Sequence, residues 1–485
     1  MFGGFAGAFF LGALFVLAFA PFCLFWLYPL LLAFFFLMVK KNPRQAFCLG
    51  LAFGAGYFLA NTHWVFVSMH TFGAMPLWLS GLATLLLALA LGLYPALFAW
   101  MARALPMRLP QDAFLWALAW ALMEWVRREL FSGFPWALAG TSQVPQSPLA
   151  GFFPWGGVTL ASFAVALLGA WLALAWLHRK ILPLFLGFFL LLLGWAAGKV
   201  SFTHPQGKPL PMTLLQGNVP QDRKWNPEAQ REIFRRYLAL AQQAPPSVLL
   251  TPESALPIFL DELPPVYLQG LLSPGKTLLL GIMEREAEKY YNSVAVISGQ
   301  DDIQVLGRYR KVHLVPFGEY TPLPWLFGPA MALGHIQLLD FTPGPVYQLP
   351  LKMQGVRVAV SICYEDIFGE EWRRRAKGAA ILANVSNDAW FGGTWALAQH
   401  AQHAQARALE LQKPLARATN TGWSFFVDHK GQILAKAPPG KATILTYPLQ
   451  GRLGESPYAR WGDGPWVGMM FFLFFLYFTK NFYRQ

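Results

Sequence analysis

Long apolar segments fill the first 200 residues of this chain, and one more lies near its C-terminal end. About 20 consecutive apolar residues are enough for an α-helix to cross the hydrocarbon core of a bilayer. The pattern predicts a bundle of eight transmembrane helices, at residues 2–20, 22–39, 46–68, 77–102, 113–126, 158–177, 181–198 and 466–480. Only 13% of the residues are charged, against about 25% in a soluble protein, so part of the chain must lie in a membrane.

Between the seventh and eighth predicted helices the composition becomes that of a soluble domain. We therefore predict a membrane domain at 1–199, a large soluble domain at 200–465, and the eighth helix with a short tail at 466–485. The soluble region has 26 Lys and Arg and 22 Asp and Glu, a net charge of only +4 out of +13 for the whole chain. The excess positive charge thus belongs to the membrane part, which argues against a nucleic-acid partner.

The basic residues between the predicted helices indicate the topology, because short loops rich in Lys and Arg stay in the cytoplasm. The loops near 21 and 69–76 have none, whereas the loop after the fifth helix has two. Basic residues follow the second, fourth, sixth and eighth helices: Lys40, Lys41, Arg44, Arg103, Arg108, Arg179, Lys180, Lys480 and Arg484. We predict a cytoplasmic N-terminus and a soluble domain outside. Segment 2–20 lacks a basic N-terminal region and precedes Pro21, so we predict a retained helix rather than a cleaved signal peptide.

Short β-branched segments and helical stretches alternate in the soluble domain. Strands are predicted at 212–218, 247–253, 277–283, 293–298, 356–363 and 379–386, a helix at 228–244, and a hairpin at 424–434 with its turn at Lys430–Gly431. Such alternation favours an α/β sheet covered on both faces. Polar residues gather at three strand ends, near Glu253, Cys363 and 384–388, where sheets of this kind place their sites.

Three residues are candidates for chemistry, although each has an ordinary explanation. Glu253 ends an apolar strand, where we expect a raised pKa that suits a general base; a carboxylate that caps a helix would explain it equally well. Lys311 lies in a basic cluster that a solvated hairpin would also produce. Cys363 is the only cysteine of the soluble domain, and an isolated cysteine is more often a buried filler. A lone thiol outside the cytoplasm nevertheless favours a function.

The order Glu253, Lys311, Cys363 resembles the Glu-Lys-Cys triad of the nitrilase (carbon–nitrogen hydrolase) superfamily. The strings TPES, YRKVHLVPFGEY and ICYED around the three residues are similar to that superfamily as well. Because the domain lies between a seventh and an eighth membrane helix, the chain resembles the apolipoprotein N-acyltransferase family in particular. Further similar motifs are QGNVPQDRKW (216–225), NVSNDAWFG (384–392) and ARALELQKPLARATNTG (406–422).

The resemblance implies a fold, a location and a reaction. The fold is a four-layer αββα sandwich in the periplasm, attached to a multi-pass domain in a bacterial inner membrane. The reaction transfers an acyl chain from a phospholipid, with phosphatidylethanolamine as the expected donor, to the α-amino group of the N-terminal S-diacylglyceryl cysteine of apolipoproteins. No cofactor and no metal are implied, and the family suggests a monomer.

The resemblance also implies roles for individual residues. Glu253 would take the thiol proton, Cys363 would attack the ester carbonyl, and Lys311 would stabilise the oxyanion. Further positions that match functional residues of the family are Trp225, Glu319, Tyr364 and Glu365. We expect Glu319 to hold Lys311 and to help deprotonate the incoming amine, the Tyr364 N–H to be a second oxyanion donor, and Glu365 to support the site.

Several other segments have two interpretations. The apolar stretch 321–339 is either an arm that contacts the membrane or a helix packed on the domain core. The aromatic stretches 131–140 and 151–157 either line the lipid entrance or belong to an interfacial aromatic belt. His400 and His403 are expected on the polar face of a helix rather than in a metal site, which would need a third ligand. The run Arg373, Arg374, Arg375 and Lys377 is expected on a solvated helix face.

Two other functions remain open from the sequence. One keeps the triad but makes the protein a membrane-tethered amidase or nitrilase with a soluble substrate. The other is a transporter with an external binding domain. Transport usually requires ionisable groups inside the spans, and Glu124 is almost the only acid in the predicted helices, which disfavours a transporter.

Overall fold

The chain folds into two compact units. The computed structural model describes residues 2–299, 302–333 and 340–482. The first unit comprises the chain up to Phe66, Leu77–Ser201 and the chain from Ser456 onward, and the second comprises Val67–Pro76 and Phe202–Glu455. The short segment Val67–Pro76 therefore belongs to the second unit, although its neighbours in sequence are predicted membrane helices.

The first unit is helical. By length and composition, Leu77–Ala102 and Pro148–His178 can cross a membrane, whereas Gly4–Ala18, Leu182–Ala197 and Gly464–Tyr477 are shorter apolar helices. The total of eight transmembrane helices therefore stays a prediction. In chain order the helices up to residue 197 are α1 (Phe2–Leu14), α2 (Leu27–Lys41), α3 (Ala46–Thr62), α4 (Trp64–Val67), α5 (Leu77–Ala102), α6 (Asp112–Glu129), α7 (Phe153–His178) and α8 (Leu182–Ala197).

Glycines on α3 allow its neighbours to approach closely. A Cβ atom on Gly56 would overlap the carbonyl oxygen of Phe9 on α1, and one on Gly50 would lie 2.5 Å from the carbonyl oxygen of Pro95 on α5. Small residues at such contacts bring helix backbones together in membrane proteins, where association depends on packing rather than on the hydrophobic effect. The glycines of α3 thus determine how it packs between α1 and α5.

Two buried charged residues of α6 fasten the segment that follows it. The Glu124 carboxylate accepts hydrogen bonds from the Trp120 indole at 3.2 Å and from the Ala139 N–H at 2.9 Å. The Arg127 guanidinium donates to the carbonyl oxygens of Phe134 at 2.7 Å and Trp136 at 2.8 Å. Within this segment Trp136 is buried, whereas Phe131 is 92% exposed.

The second unit contains all fourteen strands of the described residues, together with helices. Its elements are β1 (Thr203–Pro205), β2 (Leu210–Gln216), α9 (Gln221–Lys224), α10 (Pro227–Gln243), β3 (Val248–Leu250), α11 (Pro265–Leu271), β4 (Thr277–Glu286), β5 (Lys289–Ser298), β6 (Gln304–Arg310), α12 (Pro324–Leu333), β7 (Leu351–Met353), β8 (Val356–Ile362), α13 (Gly369–Arg375), β9 (Ile381–Ser386), α14 (Ala396–Leu411), β10 (Leu415–Thr419), β11 (Phe425–Val427), β12 (Ile433–Lys436), β13 (Thr443–Leu449) and β14 (Arg452–Gly454). Two helices of the first unit follow, α15 (Pro457–Trp461) and α16 (Gly464–Phe482).

Two six-stranded sheets form the centre of the second unit. Their strand orders are β13-β2-β3-β4-β5-β6 and β12-β11-β10-β9-β8-β7. In each sheet three central strands are parallel and the outer pairs are antiparallel. Apolar side chains of both sheets, such as Leu250, Ile362 and Phe426, share one core. Helices α10 and α11 pack on the outside of the first sheet, and α13 and α14 contact β8 and β10 of the second. The result is an αββα sandwich.

The predicted strands, the helix at 228–244 and the hairpin are confirmed. The hairpin turn is built by the Asp428 carboxylate, which accepts from the N–H groups of Lys430 and Gln432. Six strands lie outside the predicted set, namely β1, β6, β7, β10, β13 and β14. Two expectations about surfaces are wrong: α14 is buried at every residue except the partly exposed Leu397, so His400 and His403 are buried, and so is Arg375 in the basic run. The buried partners of His400 and of Arg375, which are described below, explain why these two side chains are not on the surface.

Helix α12 covers part of the apolar stretch 321–339. The side chains of Leu323, Trp325 and Leu326 are 50% to 76% exposed, so this part of the stretch is not fully packed on the core. Residues 334–339 lie outside the described residues. Contact of the stretch with a membrane stays a prediction.

Candidate active site

The three residues predicted to form a triad meet where both sheets end. Glu253 follows β3 and Lys311 follows β6 in the first sheet, whereas Cys363 directly follows β8 in the second. The Lys311 Nζ atom lies 3.3 Å from Glu253 Oε1. The Glu253 carboxylate and the Ser386 hydroxyl lie close enough to the Cys363 thiol to change its pKa. A base, a cation and a thiol are therefore adjacent.

Cys363 occupies a sharp turn between β8 and a short 3-10 helix, Cys363–Ile367. Its φ angle is +50°, a left-handed conformation that costs about 1–3 kcal/mol in a residue other than glycine. Its carbonyl oxygen accepts from His400 Nε2 at 3.2 Å, which helps to hold this turn. The turn leaves the side chain partly exposed while Ile362 and Tyr364 are buried.

The Tyr364 N–H, which we expected to be an oxyanion donor, lies in the first turn of this 3-10 helix. N–H groups in the first turn of a helix have no carbonyl partner within the helix. The Tyr364 side chain is buried, with its ring 5.2 Å from that of Phe368. The side chain thus contributes packing, and only the backbone group is available for a substrate.

Lys311 is held between two carboxylates. Its side chain is 1% exposed, and Nζ lies 2.8 Å from Glu319 Oε2 as well as 3.3 Å from Glu253. Burial alone would lower the pKa of Lys311, but Glu319 and Glu253 more than compensate, so its pKa is raised. The ammonium group is therefore charged over the physiological range. Glu319 is itself fixed by the Val315 N–H at 2.7 Å.

Glu253 is ionised, contrary to our expectation of a raised pKa. Burial does raise the pKa, but Lys311 and the Asn292 amide, at 2.7 Å from Oε1, outweigh it and the pKa is lowered. The second oxygen, Oε2, accepts from the Asn387 N–H at 2.9 Å. The sequence-based expectation considered only the apolar strand and missed these donors, which come from β5 and from the loop after β9.

The nucleophile candidate is a neutral thiol at rest. Burial raises the pKa of Cys363, and the negative charge of Glu253 raises it further. Since the pKa of Glu253 is lowered, the resting pair is a thiol beside a carboxylate. Formation of a thiolate therefore requires a base to remove the thiol proton.

Glu365 joins the lysine segment to the cysteine turn. It is fully buried, and Oε1 accepts from the Val312 N–H at 2.9 Å while Oε2 accepts from the Ile362 N–H at 2.8 Å. These two donors immediately follow Lys311 and immediately precede Cys363. Arg375 balances the charge at 2.8 Å, which is why this arginine is not on the surface. Glu365 therefore fixes the distance between the cation and the thiol.

Trp225, the last of the predicted site residues, follows α9 and is 49% exposed. The Lys224 ammonium lies 5.7 Å from the centre of its ring. Its position is compatible with contact to a substrate, and its role stays a prediction.

A second buried network lies beneath the cysteine turn, and the sequence-based reasoning missed it. Arg417 is fully buried and pairs with Asp366 and with Asp388, the latter at 3.2 Å. Asp388 also lies 3.0 Å from His400 Nδ1, and His400 supports the Cys363 carbonyl. The motif NVSNDAWFG contains Asp388 and the motif ARALELQKPLARATNTG contains Arg417, but neither string alone indicates that the two residues pair. Among residues 2–299, 302–333 and 340–482, no three His, Cys, Asp or Glu side chains form a group that could hold a metal ion.

Known families match both halves of the chain. Residues 11–171 match the apolipoprotein N-acyltransferase N-terminal domain, and residues 213–458 match the carbon–nitrogen hydrolase domain. An apolipoprotein N-acyltransferase from Chromobacterium violaceum is 40% identical over 471 residues, which cover 94% of this chain and 90% of the relative. The chain belongs to the apolipoprotein N-acyltransferase family. The resemblance inferred from the motifs is thereby confirmed.

Other similar proteins include a second member of the apolipoprotein N-acyltransferase family, from Nitrosomonas europaea. It is 40% identical over 470 residues, which cover 94% of this chain and 93% of the relative. Among solved structures, a carbon–nitrogen hydrolase from Helicobacter pylori G27 is 19% identical, covering 49% of this chain and 88% of that chain with a TM-score of 0.34. The domain match and the two-sheet sandwich indicate that the second unit has the carbon–nitrogen hydrolase fold of the family.

Proposed function

We propose that this protein transfers a fatty acyl chain from a phospholipid to the N-terminal S-diacylglyceryl cysteine of apolipoproteins, through a thioester on Cys363. Family membership supports the overall reaction. The observation that supports the mechanism is the cluster of an ionised carboxylate, a buried ammonium and a thiol at the ends of the two sheets. Glu253, Lys311 and Cys363 are the proposed catalytic residues.

In the first half-reaction the Cys363 sulfur attacks the carbonyl carbon of the phospholipid ester while Glu253 accepts the thiol proton. The carbonyl oxygen becomes an oxyanion beside the Lys311 ammonium and the Tyr364 N–H. Each preorganised donor of this kind contributes about 3–4 kcal/mol to transition-state stabilisation. The intermediate then expels the glycerol oxygen, which takes the proton from Glu253, so that lysophospholipid and a thioester result.

In the second half-reaction the neutral α-amine of the apolipoprotein attacks the thioester. The new C–N bond forms, Glu253 takes a proton from the nitrogen, and the C–S bond breaks. The departing sulfur recovers that proton, which regenerates the thiol and the ionised carboxylate. Glu319 keeps Lys311 beside the oxyanion in both halves and, as a second nearby carboxylate, assists in deprotonating the amine.

We further propose the cellular arrangement predicted from the sequence. The chain would be a multi-pass protein of a bacterial inner membrane, with a membrane domain at 1–199, a periplasmic catalytic domain at 200–465 and an eighth helix at 466–485. Phosphatidylethanolamine is the proposed donor, no nucleic acid takes part, and the protein acts as a monomer. Trp225 would contact a substrate at the site.

The test is to incubate the purified full chain with phosphatidylethanolamine in detergent and to measure its intact mass. We expect one acyl chain per protein, released by hydroxylamine because a thioester is labile to it. Cys363→Ala should gain no acyl chain, and Glu253→Gln should gain it far more slowly. An acyl chain retained in Cys363→Ala would contradict the proposal.

The acceptor separates this function from that of a membrane-tethered amidase. A diacylated lipopeptide with a free N-terminal amine should remove the acyl chain from the enzyme and carry it as an amide. The matched control is the same lipopeptide with an acetylated amine, which should leave the thioester in place. Release of the acyl chain to water at equal rates with both peptides would support a hydrolase instead.

A further inference from the structure

Lys224 is a buried lysine beside the site to which the mechanism above gives no role. It ends the short helix α9 and is 3% exposed, whereas its neighbour Arg223 has a side chain that is 55% exposed. Its Nζ atom donates to the backbone carbonyl of Glu253 at 3.2 Å. Lysine is almost never fully buried without a partner for its charge, so its place against the base calls for an explanation.

The charges of the site suggest an explanation for the buried position of Lys224. Glu253 and Glu319 bring two negative charges, and Lys311 brings a single positive charge. With these groups alone, the site would carry an excess negative charge next to a thiol that must itself become negative. The Lys224 ammonium faces both Glu253 and Cys363. One more positive charge makes the resting site neutral, and keeps it neutral when the proton moves to Glu253 and an oxyanion forms.

We propose that protonated Lys224 is the second cation of the site and promotes acylation of Cys363 through its charge and its hydrogen bond to Glu253. It is a positioning residue, because it acts through the base and the thiol. This inference rests on the proposed function, since its readout is the acyl-enzyme. The inference gives a role to Lys224, which lies between Gln221 and Trp225 in the motif QGNVPQDRKW.

The proposal predicts a loss of acylation in alkaline solution. Burial lowers the pKa of Lys224 to about 8, with Glu253 and Cys363 opposing the shift. Those two are the titratable groups that act on it from other elements, and on its own helix Arg223 pairs with Glu232 at 3.0 Å. Below this pKa Lys224 is charged, and above it Lys224 is neutral. Since the pKa of Glu253 is lowered and that of Lys311 is raised, neither titrates in this range.

The test measures the rate of acyl-enzyme formation alone, so that the titration of the acceptor amine plays no part. Full-length protein in detergent is mixed with phosphatidylethanolamine between about pH 6 and about pH 10, and intact mass is followed with time. Wild type should lose rate as the pH rises through about 8. Lys224→Met should be roughly 10- to 100-fold slower at neutral pH, the effect of removing one nearby charge, and its rate should no longer fall above that pH.

The chain offers two informative comparisons. Lys224→Arg keeps a charge at any accessible pH, so its rate should persist in alkaline solution. Lys413 is a matched control, because it is also buried, its pKa is also lowered to about 8, and it donates to the carbonyl of Ala379. Lys413→Met should keep the wild-type pH profile.

Three results would overturn the inference. The first is that Lys224→Met has the acylation rate and pH profile of wild type. The second is that the acylation rate of Lys224→Met still falls in alkaline solution as it does in wild type. The third is that Lys413→Met shows the same changes in rate and pH profile that are predicted for Lys224→Met. If Lys224→Met does not fold, as judged by its thermal melting, Lys224→Arg decides, and a wild-type alkaline loss in that variant overturns the inference. Failure of wild type to form any acyl-enzyme would instead refute the proposed function.

Discussion

Replacing Glu365 by glutamine tests how the cation and the thiol are kept in register. The carboxylate accepts from the N–H groups of Val312, His313 and Ile362, from the Tyr309 hydroxyl and from Arg375, over 2.8–3.2 Å. Every one of these partners except the hydroxyl can only donate. A glutamine of the same size has one acceptor oxygen in place of two, and its NH₂ group must face a donor.

The magnitude follows from which partner loses its acceptor. The less costly orientation keeps the amide oxygen at the Oε1 position and turns the nitrogen toward Ile362, which leaves that buried N–H unpaired at a cost of about 1–3 kcal/mol. Arg375 also loses one of two carboxylates, although Glu371 remains at 2.5 Å. Breaking a buried ion pair costs about 3–5 kcal/mol. Because Glu371 still pairs with Arg375, the weakened ion pair contributes less than this full amount. We therefore expect the free energy of unfolding to fall by about 3–5 kcal/mol in total.

Thermal melting and acyl-enzyme formation measure the two consequences. For a domain of this size about 1 kcal/mol corresponds to a shift of 2–4 °C, so Glu365→Gln should melt roughly 6–20 °C lower. Its acylation should also be slower at temperatures where it is folded, because the turn that carries Cys363 loses its anchor. Glu371→Gln is the control, since it contacts the same arginine and His313 but not Ile362. Equal melting and acylation rates in Glu365→Gln and wild type would refute this reasoning.

Three further substitutions test other parts of the site. In Glu253→Gln the thiol loses one cause of its raised pKa, so iodoacetamide should alkylate Cys363 at lower pH than in wild type. Acylation by phospholipid should nevertheless be slower by a factor of about 10²–10⁴. An alkylation curve shifted to higher pH would contradict this prediction. Gly281→Ala should displace Glu253, because a Cβ atom at position 281 would overlap the Pro252 carbonyl and lie 3.0 Å from Glu253 Cα. Gly393→Ala is the control: a Cβ atom there would meet open space, so this variant should acylate normally. Arg417→Met should lower the free energy of unfolding by about 3–5 kcal/mol, because Asp366 and Asp388 remain buried without their cation; an unchanged melting temperature would contradict this.

The strands and the order of the site residues were predictable because they depend on local patterns. Segments such as 277–283 and 356–363 are mainly apolar, as expected of strands that are buried on both faces. Strand β13 was missed because it is only half-buried and pairs at the edge of its sheet. Strand β10 is a short buried run inside a longer mixed segment, Ala406–Gly422. Neither is a continuous apolar run or a strict alternation of apolar and polar residues, the two patterns that make a strand recognisable.

The electrostatics of the site could not be predicted from the same patterns. The apolar run before Glu253 suggests a raised pKa, but the donors that lower it, Lys311, Asn292 and the Asn387 N–H, come from distant parts of the sequence. The predicted solvated face of the basic run fails for a similar reason. Arg373 is partly exposed and pairs with Glu370, whereas Arg375 is buried and pairs with Glu365. Which charged side chain is buried depends on a partner that only the fold supplies.

A neutral thiol with a raised pKa suits acyl transfer from an ester better than a preformed thiolate would. The tetrahedral intermediate can expel either the sulfur, which returns the reactants, or the glycerol oxygen, which yields the thioester. A thiol with a low pKa leaves easily and is a weak nucleophile, so it would favour return. The surroundings of Cys363 raise its pKa, and in the proposed reaction the proton held by Glu253 would be delivered to the glycerol oxygen. Both effects favour the forward path. The lowered pKa of Glu253 makes it a strong enough acid for that delivery, so the property that contradicts the sequence-based expectation of a raised pKa supports the proposed reaction.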